Sequence, residues 1–368
     1  MPLLLPPWSH PLFGLAAVLL GACIGSFLNV AIYRLPRGMS VNEPKRSFCP
    51  ICKKGIPMWR NIPVITWIVQ RGQCAECHAP IAARYVIVEI LTALLWLGCW
   101  YAFPNPFESV FYMILSALFV VIWAVDAELM VIPRQVTIFG TIAGLLMAVV
   151  HPAFFGEVEW TMALLKSVLG FAIGFAGLWL VVLLGKMAFG KYKVDFDSEV
   201  DWHLKEPENE EDELCFVMHG EVLGWSEMFY RKNDKLILTG ASTVTIDGEQ
   251  REAKEVMIQD DEVFVDGEVF PIEKLKSLEG RARGATIPRE AMGMGDVDLM
   301  GMLGACLGAS SLLFIVFSAC IFSILWALVA RLGLGKQMPF GPSIILGAIA
   351  WIFWGEQIWN AYLDFVGV

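Results

Sequence analysis

The chain has 368 residues, of which 57% are hydrophobic and only 17% are charged. A water-soluble globular domain is seldom this apolar, so the composition favours a protein that spans a membrane. The formal net charge of -10 comes mostly from one acidic block near the middle of the chain. No basic surface for nucleic acid is indicated, which excludes that class of partner.

Seven apolar runs follow one another along the chain, and most approach the roughly 20 residues that cross a bilayer. The sixth run is too long for one crossing, and we divide it at Gly308-Ala309-Ser310. The sequence therefore predicts about eight transmembrane helices, from apolar runs at residues 11–32, 85–103, 109–126, 135–151, 161–186, 297–330 (two helices) and 341–362. The first run lacks the basic start and the cleavage site of a signal peptide, so we expect a retained anchor.

Lysine and arginine in the short loops predict the orientation of these helices. Nine of them lie in residues 34–84, between the first and second runs, so that segment is predicted to be cytoplasmic and the N-terminus outside. Arg134, Lys186 and Arg331 mark the later loops that are expected on the same side. The loops 104–108 and 152–160 carry no lysine or arginine and are expected outside.

Residues 190–285 interrupt the apolar pattern and are predicted to form a cytoplasmic insert. Its acidic first part, from Asp195 to Glu213, is expected to be extended or disordered. The second part is expected to be β-rich, with strands at 236–238 and 244–246. A hairpin of residues 262–265 and 268–270 is expected to turn at Asp266-Gly267 in type I′ geometry. No catalytic group of residues is visible in the insert.

The predicted fold is thus an all-α polytopic membrane protein with a small cytoplasmic zinc-binding domain and an inserted cytoplasmic β-rich domain. The predicted segments are the first transmembrane helix at residues 1–33, the zinc-binding domain at 34–84, helices 2–5 at 85–189, the insert at 190–285 and helices 6–8 at 286–368.

Two acidic residues are predicted to lie at the same membrane depth. Asp126 ends one apolar run, Asp296 begins another, and two predicted crossings separate them, so both should face the cytoplasm. A pair of close carboxyl groups shares one proton, which is the state that an aspartyl protease uses. Gly293 and Gly295 before Asp296 permit close backbone approach to a substrate. The competing interpretation is a solvated residue at a helix end, as we also consider for Glu128 and Asp298.

Four cysteines form two CxxC pairs, Cys49 with Cys52 and Cys74 with Cys77, in the predicted cytoplasmic segment. Four thiolates at this spacing predict a closed tetrahedral zinc site, which is structural rather than catalytic. A redox function is the alternative, but it requires only one such pair. His78 is a possible substitute ligand, although a surface position fits it better.

The ordered motifs resemble those of the type IV prepilin peptidases, which are bifunctional leader peptidases and N-methyltransferases with a GxGD aspartyl protease site. The motifs that carry the resemblance, in chain order, are Gly25-Ser-Phe-Leu-Asn29, Cys49-Pro-x-Cys52, Arg71-Gly72-x-Cys74, Asp126 with Pro133, Gly293-Met-Gly-Asp296 and Pro339-Phe-Gly-Pro342. The resemblance covers nearly the whole chain apart from the insert.

The resemblance implies that Asp126 and Asp296 are the catalytic pair and that zinc is bound by Cys49, Cys52, Cys74 and Cys77. It implies cleavage of type IV prepilins or type II secretion pseudopilins at the inner-membrane face, and methylation of the new N-terminus by S-adenosylmethionine. Gly72 is a candidate for the methyl transfer. Partners in the pilus or type II secretion machinery are also implied.

Three positions depart from the family pattern, which usually has Asp where Arg134 stands, Lys where Asp298 stands and Pro where Val86 stands. The insert also occupies a loop that is ordinarily short. A peptidase without methyltransferase activity and a non-enzymatic zinc-ribbon assembly factor remain alternatives. A transporter fits less well, because the two aspartates lie at the membrane edge.

Overall fold

The computed structural model describes residues 11–44, 46–189, 191–207, 214–229, 234–288, 293–331 and 338–355, and five positions nearer the C-terminus. The chain forms two compact units. One comprises Met1–Trp179 and Met294–Val368, and the other comprises Leu180–Gly293. The second unit begins ten residues before the predicted insert 190–285 and ends eight residues after it.

The apolar runs form helices, with one short helix between the first two of them. In chain order these are α1 (Pro11–Arg34), α2 (Ile65–Val69), α3 (Arg84–Ala102), α4 (Pro106–Leu129), α5 (Arg134–Val150) and α6 (Trp160–Phe189). After the insert, which contains α7 (Trp225–Met228), follow α8 (Met294–Leu307), α9 (Ala309–Val329) and α10 (Gly341–Ala350). Among the described residues, five helices are long enough and apolar enough to cross a membrane, namely α1, α3, α4, α6 and α9. The total of eight crossings stays a prediction.

The predicted division of the sixth apolar run is confirmed. α8 ends at Leu307, and α9 begins at Ala309. Gly308 between them has φ of 80°, a backbone conformation that glycine adopts without steric cost. The chain therefore changes direction at a single residue, and α8 is a short helix of 14 residues.

Small residues hold α8 tightly between α5 and α6. Gly170 of α6 and Gly304 of α8 lie so close that a side chain on either would overlap the backbone of the other. Ser167 adds a hydrogen bond from its Oγ to the carbonyl oxygen of Ala305, at 2.7 Å. Close approach at small residues and interhelical hydrogen bonds are the usual means of packing helices in a membrane.

This packing predicts different outcomes for two glycines in α6. Gly170→Ala should lower the free energy of unfolding by about 1–3 kcal/mol, because its methyl group has no space. Gly177→Ala should be neutral or stabilising by up to about 1 kcal/mol, since no atom lies within 4 Å of its added Cβ and alanine favours helix. Thermal unfolding in detergent compares the two variants, and equal effects would contradict this packing.

The insert is built on a sheet of ten strands, all paired antiparallel. The strands are β1 (Lys191–Lys205), β2 (Cys215–Met218), β3 (Glu221–Gly224), β4 (Leu236–Thr239), β5 (Thr243–Ile246), β6 (Glu249–Glu252), β7 (Val256–Ile258), β8 (Glu262–Val265), β9 (Glu268–Pro271) and β10 (Leu278–Pro288). The order is β3-β2-β1-β10-β4-β7-β8-β9, and β5 and β6 extend from β10. The core of this unit contains Trp202, Phe216, Leu236 and Ile258.

The predicted strands and hairpin of the insert are confirmed, and the described part of its acidic first segment is extended, which is one of the two conformations predicted for it. Asp266 and Gly267 have φ of 48° and 91°, as a type I′ turn requires. Residues 195–205 belong to the ordered strand β1, which pairs with β10 and β2, and residues 208–213 lie outside the described part. The acidic residues conceal an alternation in which Val200 and Trp202 are buried and Asp201 and His203 are exposed.

Candidate active site

Asp126 lies in the last turn of α4 and is 5% exposed. Its Oδ2 accepts a hydrogen bond of 2.9 Å from the backbone N–H of Gly341, the first residue of α10. The first N–H groups of a helix have no partner within the helix, so α10 offers a donor to this carboxyl group. α4 and α10 together fix the position of one Asp126 oxygen.

Asp296 lies in the first turn of α8 and is 9% exposed. The preceding Gly295 packs on Ile132, and a Cβ on this glycine would lie 2.8 Å from the Cβ of Ile132. Ile132 also packs near Gly341, on which a Cβ would lie 3.2 Å from the Ile132 Cδ1. The absence of a side chain at position 295 thus lets α8 begin close to the segment that follows Asp126. Gly293 lies just before α8.

The structure brings the two predicted carboxyl groups into one buried site. Ile132 packs on Gly295, which precedes Asp296, and near Gly341, which binds Asp126, and all of these residues belong to the same compact unit. Within the part of the chain that the structure describes, no lysine, arginine or histidine forms a salt bridge with either one. Two uncompensated carboxyl groups at one site favour a shared proton, which is the chemical requirement for general acid–base hydrolysis.

The two neighbouring acidic residues have cationic partners. Asp298 Oδ2 lies 3.6 Å from Arg134 Nε at the start of α5, and Glu128 pairs with Arg84. The two residues that depart from the family pattern at positions 134 and 298 therefore compensate each other, because one is positively charged and the other negatively charged. These pairs distinguish Asp298 and Glu128 from Asp126 and Asp296.

The four predicted zinc ligands are clustered. The Sγ atoms of Cys49, Cys52, Cys74 and Cys77 all lie within 4.8 Å of one another. Cys49 and Cys77 Sγ are 3.8 Å apart. In a tetrahedral site with Zn–S bonds of about 2.3 Å, the sulfur atoms lie about 3.8 Å from one another, so the cluster fits zinc.

Two similar turns present the cysteines. Cys49 and Cys74 each accept, at their carbonyl oxygen, a hydrogen bond from the N–H four residues later, at Lys53 and His78. Lys53 and His78 both have positive φ, of 59° and 57°. His78 is exposed and is not part of the cluster, in agreement with a surface position.

Charged groups and backbone N–H donors surround the module that carries the four clustered cysteines. Hydrogen bonds from the Cys77 and Glu76 amides lower the pKa of the Cys74 thiol to about 7, whereas burial and the neighbouring thiols raise the pKa of the Cys77 thiol to about 11. Glu76 joins the two turns through Lys54 at 3.0 Å and Arg60 at 3.1 Å. These cations lower the pKa of Glu76. Ion pairs of Glu76 therefore link separate segments of the module.

Gly72 lies in the same module, but it supports another residue rather than lining a cavity itself. It has φ of 67°, and a Cβ on it would lie 2.9 Å from Cζ2 of Trp67. The indole N–H of Trp67 donates to the carbonyl oxygen of Ile81 at 3.3 Å. Gly72 therefore sets the position of the Trp67 ring.

Sequence reasoning missed the contribution of Gly341. The Pro339-Phe-Gly-Pro342 motif marked the region, but no side-chain chemistry there points to Asp126. The link is a backbone N–H, and a Cβ on Gly341 would lie 2.7 Å from Asp126 Oδ2. The sequence signal for this contribution was a glycine between an aromatic residue and a proline at the start of a helix.

Comparisons with known proteins agree with this geometry. Residues 19–103 match the bacterial peptidase A24 N-terminal domain, and residues 277–328 match the type IV leader peptidase family. The first match contains all four clustered cysteines and Gly72, and the second contains Asp296. No solved structure gives a match.

Several curated relatives share the name prepilin leader peptidase/N-methyltransferase. The Pseudomonas aeruginosa protein is 25% identical, and the match covers 100% of this chain and 99% of the relative. The Aeromonas hydrophila protein is 32% identical over 50% of this chain and 68% of the relative. The Myxococcus xanthus protein is 38% identical over 39% of this chain and 43% of the relative. The chain therefore belongs to the family of prepilin leader peptidase/N-methyltransferases.

Proposed function

We propose that this protein is a membrane aspartyl endopeptidase that removes the leader peptide of prepilins and then N-methylates the new N-terminus. The observation that supports the peptidase activity is the buried pair Asp126 and Asp296, which have no cationic partner among the described residues. Relatives that are named for both activities support the pairing of functions.

The geometry suggests a division of roles between the two carboxyl groups. Asp126 already accepts a hydrogen bond from Gly341, so we assign it the role of the base that takes a proton from water. The water oxygen then attacks the scissile carbonyl carbon. Asp296 gives its proton to the departing amide nitrogen as the C–N bond breaks. The products are the carboxyl end of the leader and the free amine of the mature protein.

The remaining parts of the proposal follow from the family and from the charge pattern. Zinc on the four clustered cysteines stabilises the module and leaves no open coordination position for catalysis. S-adenosylmethionine supplies the methyl group. We place the protein in the bacterial inner membrane, with the active site facing the cytoplasm, the predicted side of the basic segment 34–84. The substrates are type IV prepilins or type II secretion pseudopilins, and their assembly machinery is the expected partner.

The test is to co-express the chain with a candidate prepilin and to weigh the product by mass spectrometry. The proposal expects loss of the leader and a gain equal to one methyl group. A product that lacks the leader but carries no methyl group would support a peptidase alone. An unprocessed prepilin would contradict the proposal, provided that a known leader peptidase cleaves the same substrate in a parallel culture.

Gly341 supplies a further prediction. Gly341→Ala should lower kcat for cleavage about 100-fold with little change in KM, since its Cβ would displace the Asp126 carboxyl group from its position. Gly98→Ala in α3 is the control, because nothing lies within 4 Å of its added Cβ. Initial rates on a purified prepilin measure both constants, and a Gly341→Ala enzyme with normal kcat would contradict the assigned contact.

A further inference from the structure

A cavity of about 340 Å³ lies between the zinc-binding module and the adjoining ends of α1 and α3. Its lining includes Asn29, Trp67, Tyr85 and Glu89. The volume is within the roughly 300–1,000 Å³ that is typical of sites for small molecules. All of these residues lie in one compact unit and within the matched N-terminal domain, and Asp126 and Asp296 are not among those that line the cavity.

The cavity contains a buried acidic residue. Glu89 lies in the apolar helix α3, is 8% exposed, and forms no salt bridge with any described lysine, arginine or histidine. Its Oε2 accepts a hydrogen bond from Val64 N–H at 2.7 Å, whereas its Oε1 forms none with the described residues. An acidic group within an apolar helix is costly unless it has a function or a partner. Glu89 therefore offers a cationic ligand a carboxyl group that no described cation pairs with.

The backbone that meets Glu89 is strained. Val64 has φ of 63°, which is rare for a β-branched residue. The short bond from Val64 N–H to Glu89 holds this conformation at the start of α2. Such strain persists only where the surrounding structure imposes it, and it is concentrated at functional sites.

Asn29 links α1 and α3 at the wall of the cavity. The residue is 2% exposed, and its Nδ2 donates to the carbonyl oxygen of Tyr85 at 2.9 Å and to that of Gly25 at 3.3 Å. Its Oδ1 is buried without a hydrogen-bond partner in the described structure. This oxygen is closed to the cavity, so the contribution of Asn29 is its hydrogen bond to Tyr85, which joins α1 to the start of α3 at the cavity wall.

Trp67 gives the cavity an aromatic wall at a fixed position. Its indole N–H is bound to Ile81, and the ring packs on Gly72, which has no side chain to displace it. An aromatic ring attracts cations over its face and stacks with other planar rings. A cation with a heterocyclic ring would suit this wall together with Glu89.

We propose that this cavity is the binding site for S-adenosylmethionine, and this inference rests on the proposed methyl transfer. The ligand has a sulfonium group, an ammonium group, a carboxylate and a purine ring with an amino donor. Glu89 supplies the charge opposite to its two cationic groups, and Trp67 supplies the aromatic surface for its purine. Gly72 is then a positioning residue that acts on binding through Trp67.

The test measures equilibrium binding of S-adenosylmethionine to the full-length protein in detergent by isothermal titration calorimetry. Glu89→Gln should weaken binding at least about 10-fold, because the charge is lost while the amide oxygen still accepts from Val64. Glu108→Gln, in the first turn of α4 and outside the cavity lining, should bind like the wild type. Leader cleavage by each variant confirms that it is folded.

A second pair of variants separates backbone strain from the contact with Trp67. Gly72→Ala should also weaken binding about 10-fold, because the added Cβ displaces the Trp67 ring from the cavity wall. Gly38→Ala is the matched control, since Gly38 has a similar φ of 64° but no atom within 4 Å of an added Cβ. It should bind S-adenosylmethionine normally.

Hydrogen–deuterium exchange of the wild-type protein gives a measurement that depends on no variant. Added S-adenosylmethionine should slow exchange in residues 61–73 and leave α5 unchanged. The assigned cavity would be overturned, and the proposed methyl transfer left intact, by wild-type binding without this protection. Binding by Glu89→Gln and Gly72→Ala that is as tight as that of the wild type would have the same consequence. A wild-type protein that neither binds the methyl donor nor methylates a pilin would overturn both.

Discussion

Asp126→Asn and Asp296→Asn should each reduce the rate of leader cleavage at least about 1,000-fold. An amide in place of either carboxyl group removes a member of the pair that must take up and release protons. The substitutions are isosteric, so Gly341 N–H can still donate to an oxygen at position 126. Single-turnover cleavage of a purified prepilin measures the rate of each variant.

Asp298→Asn is the matched control for these two variants. Asp298 is two residues from Asp296, but it lies beside Arg134 and is not placed at the paired site. We expect its rate to fall less than about 10-fold, since Asp298 pairs with an exposed Arg134 at 3.6 Å and such a pair contributes little. Both catalytic variants should still methylate a substrate that has already lost its leader. A wild-type cleavage rate in either Asn variant would remove the basis of the peptidase assignment.

Cys77→Ser should lose most of the bound zinc and open the module between α1 and α3. Structural zinc contributes roughly 10–16 kcal/mol of apparent binding energy in small domains, far more than the exposed ion pairs of Glu76. Methylation should fall with the metal, because the module also forms the cavity wall. Elemental mass spectrometry gives the ratio of zinc to protein, and limited proteolysis reports the opening.

Two other substitutions control for the zinc measurement. Cys23→Ser changes an exposed cysteine of α1 outside the cluster, and His78→Ala removes the only histidine in this module. Both should keep about one zinc per chain, as four thiolates complete the site. A Cys77→Ser protein with a full complement of zinc would contradict the four-cysteine site, and zinc loss in His78→Ala would assign a ligand role to the histidine.

Local patterns predicted the parts of the fold that depend on nearby residues. The hairpin of β8 and β9 follows from an Asp-Gly turn between alternating residues, and the break at Gly308 follows from excess length. β1 was missed because its acidic side chains are exposed while its alternate residues enter the core, and because its partner β10 is about 80 residues away. Local composition does not predict the pairing of strands that are so far apart in the chain.

The site was predictable to the extent that it depends on side-chain type and helix count. Asp126, Asp296 and the four cysteines carry chemistry that the sequence displays directly. The donor from Gly341, the positive φ of Val64 and the support of Trp67 by Gly72 depend on backbone positions in three dimensions. A sequence marks such places only by an unexplained glycine or an unexplained acidic residue in an apolar helix, as at Glu89.

The proximity of Asp126 and Asp296 is tested most directly by cross-linking cysteines placed at both positions. A short bifunctional thiol reagent is applied to the Asp126→Cys/Asp296→Cys protein, and linked peptides are identified by mass spectrometry. We predict a linked pair of peptides from α4 and α8. Modification of both thiols by a monofunctional reagent without any linked peptide would show that the two positions do not meet, and would contradict the shared catalytic site.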